Sequence, residues 1–397
     1  MVKKARQPPQ PWLVVVGLAF GVCVSNGFAR FAYGLILPSM QDHQRWTYAE
    51  AGWINTANAI GYLAGALAML GATGRIRAST LFLSGMAGTS VSLALSGFTQ
   101  NFALLTTFRI AAGMAGAATF IAAGLLAARL FDDQRQSARA VALAYGGGGL
   151  GMVVSGAALP WYFEFYGASA WPGSWIWLGV LSAGLTAASW LALRGRTDEV
   201  PPDGGRSALP SGRLPLLRMS PALCAYGLFA MGYIVYLTFL VAWMQGHGAG
   251  IVLVSLAWSI IGLGIMVSPF AWSGVLARFS GGRPLALTTG VTAVGALLPL
   301  VAPNTVGLLA SAAIFGIAVF MSPAATTIFA RRNLPPSEQG SAIALFTTVF
   351  AAGQIIGPVA AGVVGDATGS ITNGLAAAGV VLAFSATLAL WQKSIAT

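Results

Sequence analysis

Charged side chains are scarce in this chain of 397 residues, because Asp, Glu, Lys and Arg together make up only 8% of it. A soluble globular protein has roughly 25% charged residues. So few charges cannot cover a protein of this size with a surface that faces water. The hydrophobic content of 56% agrees with a surface that mostly faces lipid, and the composition therefore excludes an ordinary soluble enzyme or binding module.

Acidic, histidine and cysteine side chains are also few: 10 Asp and Glu, 2 His and 2 Cys. We place all the acids at the ends of apolar segments or in loops, and His43 and His247 in outer loops. Metalloprotease, nucleophile-elbow and intramembrane Asp-pair patterns are missing, which argues against an enzyme. Cys23 and Cys224 show no disulfide or metal-ligand spacing. We therefore expect no metal and no cofactor.

What the sequence does contain is a series of apolar segments, each long enough to span a bilayer as a helix, which takes about 20 residues. The twelve predicted spans are 12–37, 49–71, 79–98, 101–127, 138–160, 174–194, 220–244, 250–276, 284–301, 304–329, 340–364 and 370–391. The longest polar stretch, 195–219, is rich in Pro, Gly and charge. We expect an all-α membrane protein with two six-helix halves, 1–194 and 220–397, joined by that linker.

The positions of the basic residues predict the orientation of these spans. Of the 21 Lys and Arg residues, all but Arg30, Arg45 and Arg109 fall in cytoplasmic segments if the N-terminus is cytoplasmic. Cytoplasmic loops of membrane proteins carry such an excess of positive charge. We therefore predict that both termini and the linker are cytoplasmic, and that the basic character does not reflect nucleic-acid binding.

The two halves resemble each other in sequence. The segment "ARAVALAYGGGGLG" from Ala138 resembles "GSAIALFTTVFAAG" from Gly340, and "ALLTTFRI" from Ala103 resembles "GLLASAAI" from Gly307. Both pairs are separated by about the same number of residues, and both halves begin in the cytoplasm. The chain is therefore expected to contain two parallel six-helix repeats. This architecture is known from one class of secondary transporters.

Several motifs are similar to those of the major facilitator superfamily. The loop "GVLARFSGGRP" from Gly274 resembles its G-x-L-A-D-R-x-G-R-R motif, and "LAMLGATGRIR" is a poorer copy. "RIAAGMAGAA" from Arg109 and "GQIIGPVAAG" from Gly353 resemble motifs of its fourth and eleventh spans. "GFARFAYGLILPSM" from Gly27 and "AGWINTANAIGYLAGAL" from Ala51 resemble its YbfB/YjiJ-like branch. The resemblance covers essentially the whole chain.

This resemblance implies a transporter that works by alternating access, with conformational roles for residues in the loop motifs and near helix prolines. The residues expected to have gating or conformational roles are Gly74, Arg75, Gly274, Arg278, Arg283, Pro323, Gly357 and Pro358. The acidic residue of the loop motif is absent from both copies, with Gly71 and Arg278 in its place. Proline inside a membrane span is a candidate hinge.

Arg30 and Arg109 lie inside predicted spans, where a charged residue costs about 2.5–3.5 kcal/mol on insertion scales. Such a residue faces protein or water rather than lipid. Asn26, Arg30 and Tyr33 share one face of an α-helix. Both arginines lie about 12 Å from the predicted outer surface, and the first and fourth spans of the superfamily line its central cavity. We expect Arg30 to contact a ligand, whereas Arg109 has either a ligand-binding or a structural role.

Other polar and aromatic residues follow helical spacing on the second and seventh spans, or stand singly on the fifth and eleventh. The predicted substrate-binding set is Asn26, Arg30, Tyr33, Asn58, Tyr62, Arg109, Tyr145, Tyr233, Tyr236 and Gln354. Interhelical hydrogen bonding is the alternative for each of the uncharged residues, since membrane bundles use it widely. The positive charge comes from the first half and the aromatic rings from the second, which would suit an anion with an apolar or ring-shaped body.

We therefore predict a monomeric multi-pass transporter of the bacterial inner membrane, with a small molecule as its substrate. A small organic anion is the favoured substrate, and efflux of neutral or lipophilic compounds and sugar import are the alternatives. No acid is expected in mid-membrane, and arginine does not deprotonate in proteins. Export or exchange is therefore favoured over import, with a coupling ion or counter-substrate as a further partner. A sensor with a transporter's shape is disfavoured, because no signalling domain follows the spans.

Overall fold

The computed structural model describes residues 10–72, 75–194 and 214–395, and within these ranges the chain is almost entirely helical. The helices of the first half are Pro11–Gln44 (α1), Tyr48–Ala72 (α2), Ala78–Ser96 (α3), Phe102–Ala128 (α4), Gln134–Tyr166 (α5) and Trp171–Leu193 (α6). Those of the second half are Leu216–Gly246 (α7), Ile251–Arg278 (α8), Arg283–Val301 (α9), Thr305–Asn333 (α10), Pro336–Thr368 (α11) and Ile371–Leu390 (α12). The prediction of an all-α protein is confirmed.

Within the described residues, 11 helices are long and apolar enough to cross a membrane. The exception among the predicted spans is α2, which has 25 residues but is less apolar, because Asn55, Thr56 and Asn58 lie in its middle. These side chains are buried. The polarity of α2 therefore reflects contacts with other helices, because its polar residues face protein and not lipid.

Several helices are longer than the spans predicted from hydropathy. The first predicted span, 12–37, continues to Gln44, and the fifth, 138–160, extends to Gln134–Tyr166. The helix α7 begins at Leu216, within the last residues of the predicted linker, 195–219. The apolar core of a bilayer needs only about 20 helical residues, and the extra turns carry polar and aromatic residues that do not extend a strongly apolar stretch. Residues 195–213 of the linker lie outside the described residues.

The same pairs of helices pack together in both halves. In the first half α2 and α3 each pack on α4, and α3 packs on α6; in the second half α8 and α9 each pack on α10, and α9 packs on α12. The pairs α1 with α5 and α7 with α11 are equivalent in the same way. The sequence repeat predicts this equivalence.

The halves meet along three seams, where α1 packs on α7, α2 on α11 and α5 on α8. Glycines allow the backbones to approach closely there. A Cβ atom at Gly52 would overlap the carbonyl oxygen of Pro358, and one at Gly149 would overlap that of Gly262. The run "GGGGLG" from Gly146 therefore serves helix packing in this membrane protein, as small residues commonly do.

A carboxylate joins the halves at one end of the bundle, which we call the closed end. Asp366 near the end of α11 accepts hydrogen bonds from the backbone amides of Tyr48 and Ala49, at 2.7 and 2.9 Å. These amides belong to the first turn of α2, where backbone donors have no partner within the helix. Thr47 and Glu50 complete the same helix end with a capping box, whose two hydrogen bonds measure 2.9 and 3.2 Å.

The contact between α2 and α4 generates a stability prediction. A Cβ atom at Gly113 would overlap the carbonyl oxygen of Asn58, so Gly113→Ala should force the two helices apart. Overpacking of this kind costs about 1–3 kcal/mol. We expect a lower midpoint of thermal unfolding in detergent. Gly184 is the matched control, because a Cβ there meets nothing within 4 Å, and Gly184→Ala should not lower the midpoint. Equal midpoints for the two variants would contradict the prediction.

Candidate binding site

A cavity of about 200 Å³ lies between the two halves. It is lined by residues of α1, α2 and α4 from the first half and of α7, α10 and α11 from the second. The lining residues are Asn26, Arg30, Phe31, Tyr62, Phe120, Tyr226, Tyr233, Phe320, Pro323, Thr326, Thr327, Ile343, Phe346, Thr347 and Phe350. Its residues from α10 and α11 lie in the halves of those helices nearest the loop between Asn333 and Pro336. The cavity therefore lies towards the end opposite Asp366, which we call the open end.

Arg30 is the one cation among these lining residues, and none of them is acidic. Its guanidinium lies over the ring of Tyr62, with 5.0 Å between the guanidinium carbon and the ring centroid. It also donates a hydrogen bond from Nη2 to Oε1 of Gln354, whose Nε2 donates in turn to the hydroxyl of Tyr233. The cavity therefore holds a positive charge that is oriented by uncharged groups.

Arg30 lies on a segment of π-helix, Cys23–Phe31, inside α1. The wider turn is seen in the hydrogen bond from the amide of Ala32 to the carbonyl of Gly27, five residues earlier, at 2.9 Å. Such segments are frequent at functional sites. Asn26 lies one π-helical turn before Arg30 and also faces the cavity, where its Oδ1 has no hydrogen-bond partner among the described residues.

The expectation that Tyr33 shares a face with Asn26 and Arg30 is wrong for this structure, because the π-helix interrupts the α-helical spacing. Tyr33 does not line the cavity. Its hydroxyl donates to the carbonyl of Ala51 at 2.7 Å, and its side chain is fully buried. The residue therefore joins α1 to α2.

The walls of the cavity are aromatic on both sides. On the second-half side, the rings of Tyr226 and Tyr233 both stack on that of Phe350, with centroids 4.9 and 5.7 Å from it. On the first-half side, Tyr62 and Phe120 make an edge contact at 6.3 Å. The site thus combines one cation with flat apolar surfaces.

Arg109 lies apart from this cavity, so the geometry favours the structural one of its two expected roles. Its side chain is fully buried, and Nη2 donates to the carbonyl of Ala29 at 2.5 Å. The guanidinium carbon is 4.7 Å from the ring centroid of Trp175 and 5.6 Å from that of Tyr33. Arg109 therefore has the geometry of a clamp between α1, α4 and α6, held by a carbonyl and two rings.

Other members of the predicted set also lie behind the cavity wall. Asn58 donates to the backbone carbonyl of Arg109 at 3.2 Å and so ties α2 to α4. The hydroxyl of Tyr236 is 2.6 Å from that of Ser311. Tyr145 stacks on the lining residue Phe120, with centroids 4.6 Å apart. Of the ten predicted residues, the structure brings Asn26, Arg30, Tyr62 and Tyr233 into the lining, with Gln354 and Tyr145 directly behind it.

The predicted conformational residues fall at both ends of the bundle. Pro358 lies at the seam between α2 and α11, whereas Gly357 packs on the backbone of α7 at Met231. The helix α10 is interrupted at Phe320, between the segments Thr305–Val319 and Met321–Asn333. Pro323 lines the cavity just after this interruption. The conformational roles of these residues remain predictions.

The loop-motif residues lie near the open end. Arg75 is exposed, and Gly274 has open space beside it. Arg278 and Arg283 both lie over the ring of Phe279, at 5.7 and 5.6 Å. Gly74 lies outside the described residues. The conformational roles of these positions also remain predictions.

Sequence reasoning missed two groups of residues. Six further aromatic side chains and several hydroxyl groups complete the lining, and the spacing of Phe346 and Phe350 on one face of α11 was the available signal. At the open end, Arg332 donates to the carbonyls of Phe279 and Ala277 at 2.8 and 2.9 Å. It ties α10 to the end of α8.

The different settings of the two arginines predict different effects of the same substitution. Arg109→Lys keeps the charge but replaces a planar group that stacks on rings with a compact ammonium. Loss of buried cation–π contacts and packing should cost about 1–3 kcal/mol. We expect a clearly lower unfolding midpoint for Arg109→Lys than for Arg30→Lys, whose side chain adjoins a cavity. The reverse order, measured in the same detergent, would contradict the assignment of Arg109 as a clamp.

Comparison with known proteins shows the family of the chain. Residues 22–390 match the model of a family described as the uncharacterised MFS-type transporter YbfB, where MFS denotes the major facilitator superfamily. An uncharacterised MFS-type transporter of Bacillus subtilis (strain 168), YceJ, is 27% identical over 376 residues, which cover 90% of this chain and 92% of that protein.

Solved transporter structures share the fold. A bacterial homologue of the human lysosomal transporter Spinster, in an inward-facing and unoccupied conformation, superposes with a TM-score of 0.72 at 14% identity, covering 98% of each chain. The nucleoside transporter NupG superposes with a TM-score of 0.72 at 14% identity, covering 96% of this chain and 97% of that one.

These findings confirm the resemblance that the sequence motifs suggested. Together with 11 membrane-length apolar helices, they make this a multi-pass membrane protein, consistent with a bacterial inner membrane. The chain belongs to the YbfB-like family of the major facilitator superfamily, which is a family of membrane transporters and not of enzymes.

Proposed function

We propose that this protein is a secondary active transporter that moves a small, singly charged organic anion by alternating access. The observation that carries this proposal is the positive charge of Arg30 in a cavity with aromatic walls and no acidic lining residue. Arginine presents a planar fork that matches a carboxylate with two parallel hydrogen bonds. A ligand with one carboxylate would neutralise the charge of the lining.

The rest of the lining specifies the body of the ligand. Tyr62, Tyr226, Tyr233 and Phe350 offer flat apolar faces and edges, against which a ring or a branched apolar group packs favourably. The free Oδ1 of Asn26 would accept a hydrogen bond from a ligand hydroxyl or amino group. A hydroxylated or aminated aromatic monocarboxylate combines all three features in a volume of about 200 Å³.

We further propose that all twelve helices cross the membrane, that both termini are cytoplasmic, and that the two six-helix halves move about the cavity as units. The excess of basic residues in the segments at the open end supports this orientation. With this orientation the open end faces the cytoplasm, and the closed end, where Asp366 caps α2, faces outward. The positions of the predicted conformational residues near the seams and the open end fit such a movement.

Energetics favour export or exchange of the anion. An anion that leaves an inside-negative cell gains about 2.3 kcal/mol per charge per 100 mV, and import against this field needs a coupled cation or an exchanged anion. Among the described residues, Asp366 and Glu50 are occupied with capping α2, and no acid lines the cavity. An antiporter or exporter is therefore the form of transport that we propose.

The second candidate is an exporter of neutral or lipophilic compounds. It is favoured by the hydrogen bond between Arg30 and Gln354, which already satisfies one guanidinium donor, and by the aromatic lining. Here Arg30 would be an internal clamp and the aromatic rings would bind the ligand. A sugar permease is the third candidate, and it is the least supported because few polar groups line the cavity.

Binding by matched pairs of compounds distinguishes these candidates. The purified protein would be heated in the presence of benzoate, phenylacetate, 4-hydroxybenzoate and a panel of aliphatic monocarboxylates, each beside its amide. We expect at least one acid to raise the unfolding midpoint more than its amide, and the same acid to exchange across liposomes that contain the protein. Equal or stronger stabilisation by the amides would favour the neutral-compound exporter.

Substitution of Arg30 should weaken binding of the stabilising acid while leaving the protein folded. Arg30→Lys loses the planar fork, and Arg30→Gln loses the charge as well. Charge-assisted hydrogen bonds contribute about 1.5–3 kcal/mol, so the loss of affinity should be roughly 10–150-fold. Arg135→Gln is the matched control, because Arg135 is exposed near the start of α5, away from the cavity. Normal binding of the acid by Arg30→Gln would refute the role of Arg30.

The proposed orientation is tested by single cysteines at the two ends of the bundle. Ser169 and Ser337 are both exposed, one between α5 and α6 and the other at the start of α11. In a Cys224→Ser background, an impermeant thiol reagent added to intact cells should label Ser169→Cys and should leave Ser337→Cys unlabelled until the membrane is opened. The opposite pattern would invert the protein and make the cavity outward-facing.

A further inference from the structure

Gln354 connects the cation of the cavity to the second half of the protein. Its Oε1 accepts from Arg30 on α1, and its Nε2 donates to Tyr233 on α7. The side chain is almost completely buried, at 1% exposure. Both ends of the amide are therefore occupied, which fixes its orientation and places its oxygen against the guanidinium.

The important property of this partner is that it has no charge. Arginine inside proteins usually pairs with a carboxylate, and glutamate would fit the same position, because it has the same length and the same Oε1 acceptor. A glutamate would hold Arg30 equally well but would cancel its charge. Gln354 holds the guanidinium in place and leaves the cavity electropositive.

We propose that Gln354 is the residue that determines the charge selectivity of the cavity. This inference rests on the proposed function, in which Arg30 binds the anionic group of the ligand. Gln354 acts as a neutral placeholder: its oxygen occupies one of the positions on the guanidinium that a carboxylate oxygen of the ligand takes. An anion gains a full charge interaction when it replaces a neutral amide, whereas it would gain almost none by replacing a carboxylate.

A purely structural role for Gln354 makes a different prediction. Interhelical hydrogen bonds from glutamine stabilise membrane bundles in general, and such a role would be preserved by glutamate and would not depend on the sign of the cavity's charge. The decisive readout is therefore the electrostatic potential in the cavity, which can be measured without knowing the natural ligand.

Thr347 offers a place to measure this potential, because it lines the cavity and is exposed on α11. In a Cys224→Ser background, Thr347→Cys would be modified with an anionic reagent, 2-sulfonatoethyl methanethiosulfonate, and with a cationic one, 2-(trimethylammonium)ethyl methanethiosulfonate. The rate at which the anionic reagent modifies Thr347→Cys, divided by the rate for the cationic reagent, reports the electrostatic potential in the cavity. The variant that carries only Thr347→Cys and Cys224→Ser is called the reporter. Cys23 is buried and remains in place.

We expect the ratio to follow the net charge of the cavity. The reporter alone should give the highest ratio, Arg30→Gln and Gln354→Glu should both lower it by at least about tenfold at low ionic strength, and the double variant should give the lowest value. A unit charge about 10 Å away at an effective dielectric constant of about 20 has an effect of this size. Gln354→Met, the uncharged control, should stay within about twofold of the reporter. Added salt should reduce the differences.

A ratio for Gln354→Glu within about twofold of the reporter would overturn the inference. So would a fall of about tenfold or more in Gln354→Met, because that variant adds no charge. If Gln354→Glu does not fold, Gln354→Asp brings the same charge to the same site and is judged by the same ratio. The reagents report potential and not transport. If the order of ratios holds but no acid binds, the proposed function fails and the role of Gln354 in setting the potential stands; if acids bind but the ratio does not move, the inference fails by itself.

Discussion

A guanidinium inside an apolar helix bundle is stabilised by acceptors and flat surfaces around it, and two arginines here have such neighbours without any carboxylate, although Nε and Nη1 of Arg109 have no hydrogen-bond partner among the described residues. Arg109 is enclosed by a backbone carbonyl and the rings of Tyr33 and Trp175. Arg30 is held by the amide of Gln354 and the ring of Tyr62. The first arrangement fills the space around the charge, whereas the second leaves a cavity beside it. The same chemistry therefore produces an enclosed cation in one place and a cation that lines a cavity in the other.

Close contact between the backbones of the two halves brings Arg30 of the first half to Gln354 of the second. Glycines at the seams let α2 approach α11 and let α5 approach α8, and the halves are apart around the cavity. The hydrogen bonds that join the halves come from both regions. Asp366 caps α2 at the closed end, and Gln354 reaches Arg30 at the cavity. Movement of one half against the other must exchange both sets of contacts.

The sequence was sufficient for the class of fold, the family and the position of the central charge. Hydropathy located each helix, because lipid demands a continuous apolar surface, but it missed the polar turns beyond the bilayer. The spacing of a regular α-helix also predicted that Tyr33 lies beside Arg30, because the π-helical segment leaves no mark in the sequence pattern. The separation of Arg109 from the cavity depends on which neighbours supply rings and carbonyls. That information lies in the packing of distant segments and not in local spacing.

The contact between Arg30 and Gln354 spans 324 residues of sequence, which has a consequence for biosynthesis. At about 5–20 residues per second, the ribosome needs roughly 16–65 s to reach Gln354 after it has made Arg30. During this interval α1 must enter the membrane with a charge whose later partner does not yet exist. The mean hydropathy of 1.9 over its most apolar stretch then serves insertion as well as packing, because each central Leu, Ile, Val or Phe offsets about 0.3–0.6 kcal/mol of the arginine's insertion cost. Polar substitutions elsewhere in α1 would therefore reduce the yield of inserted protein before they affect the finished fold.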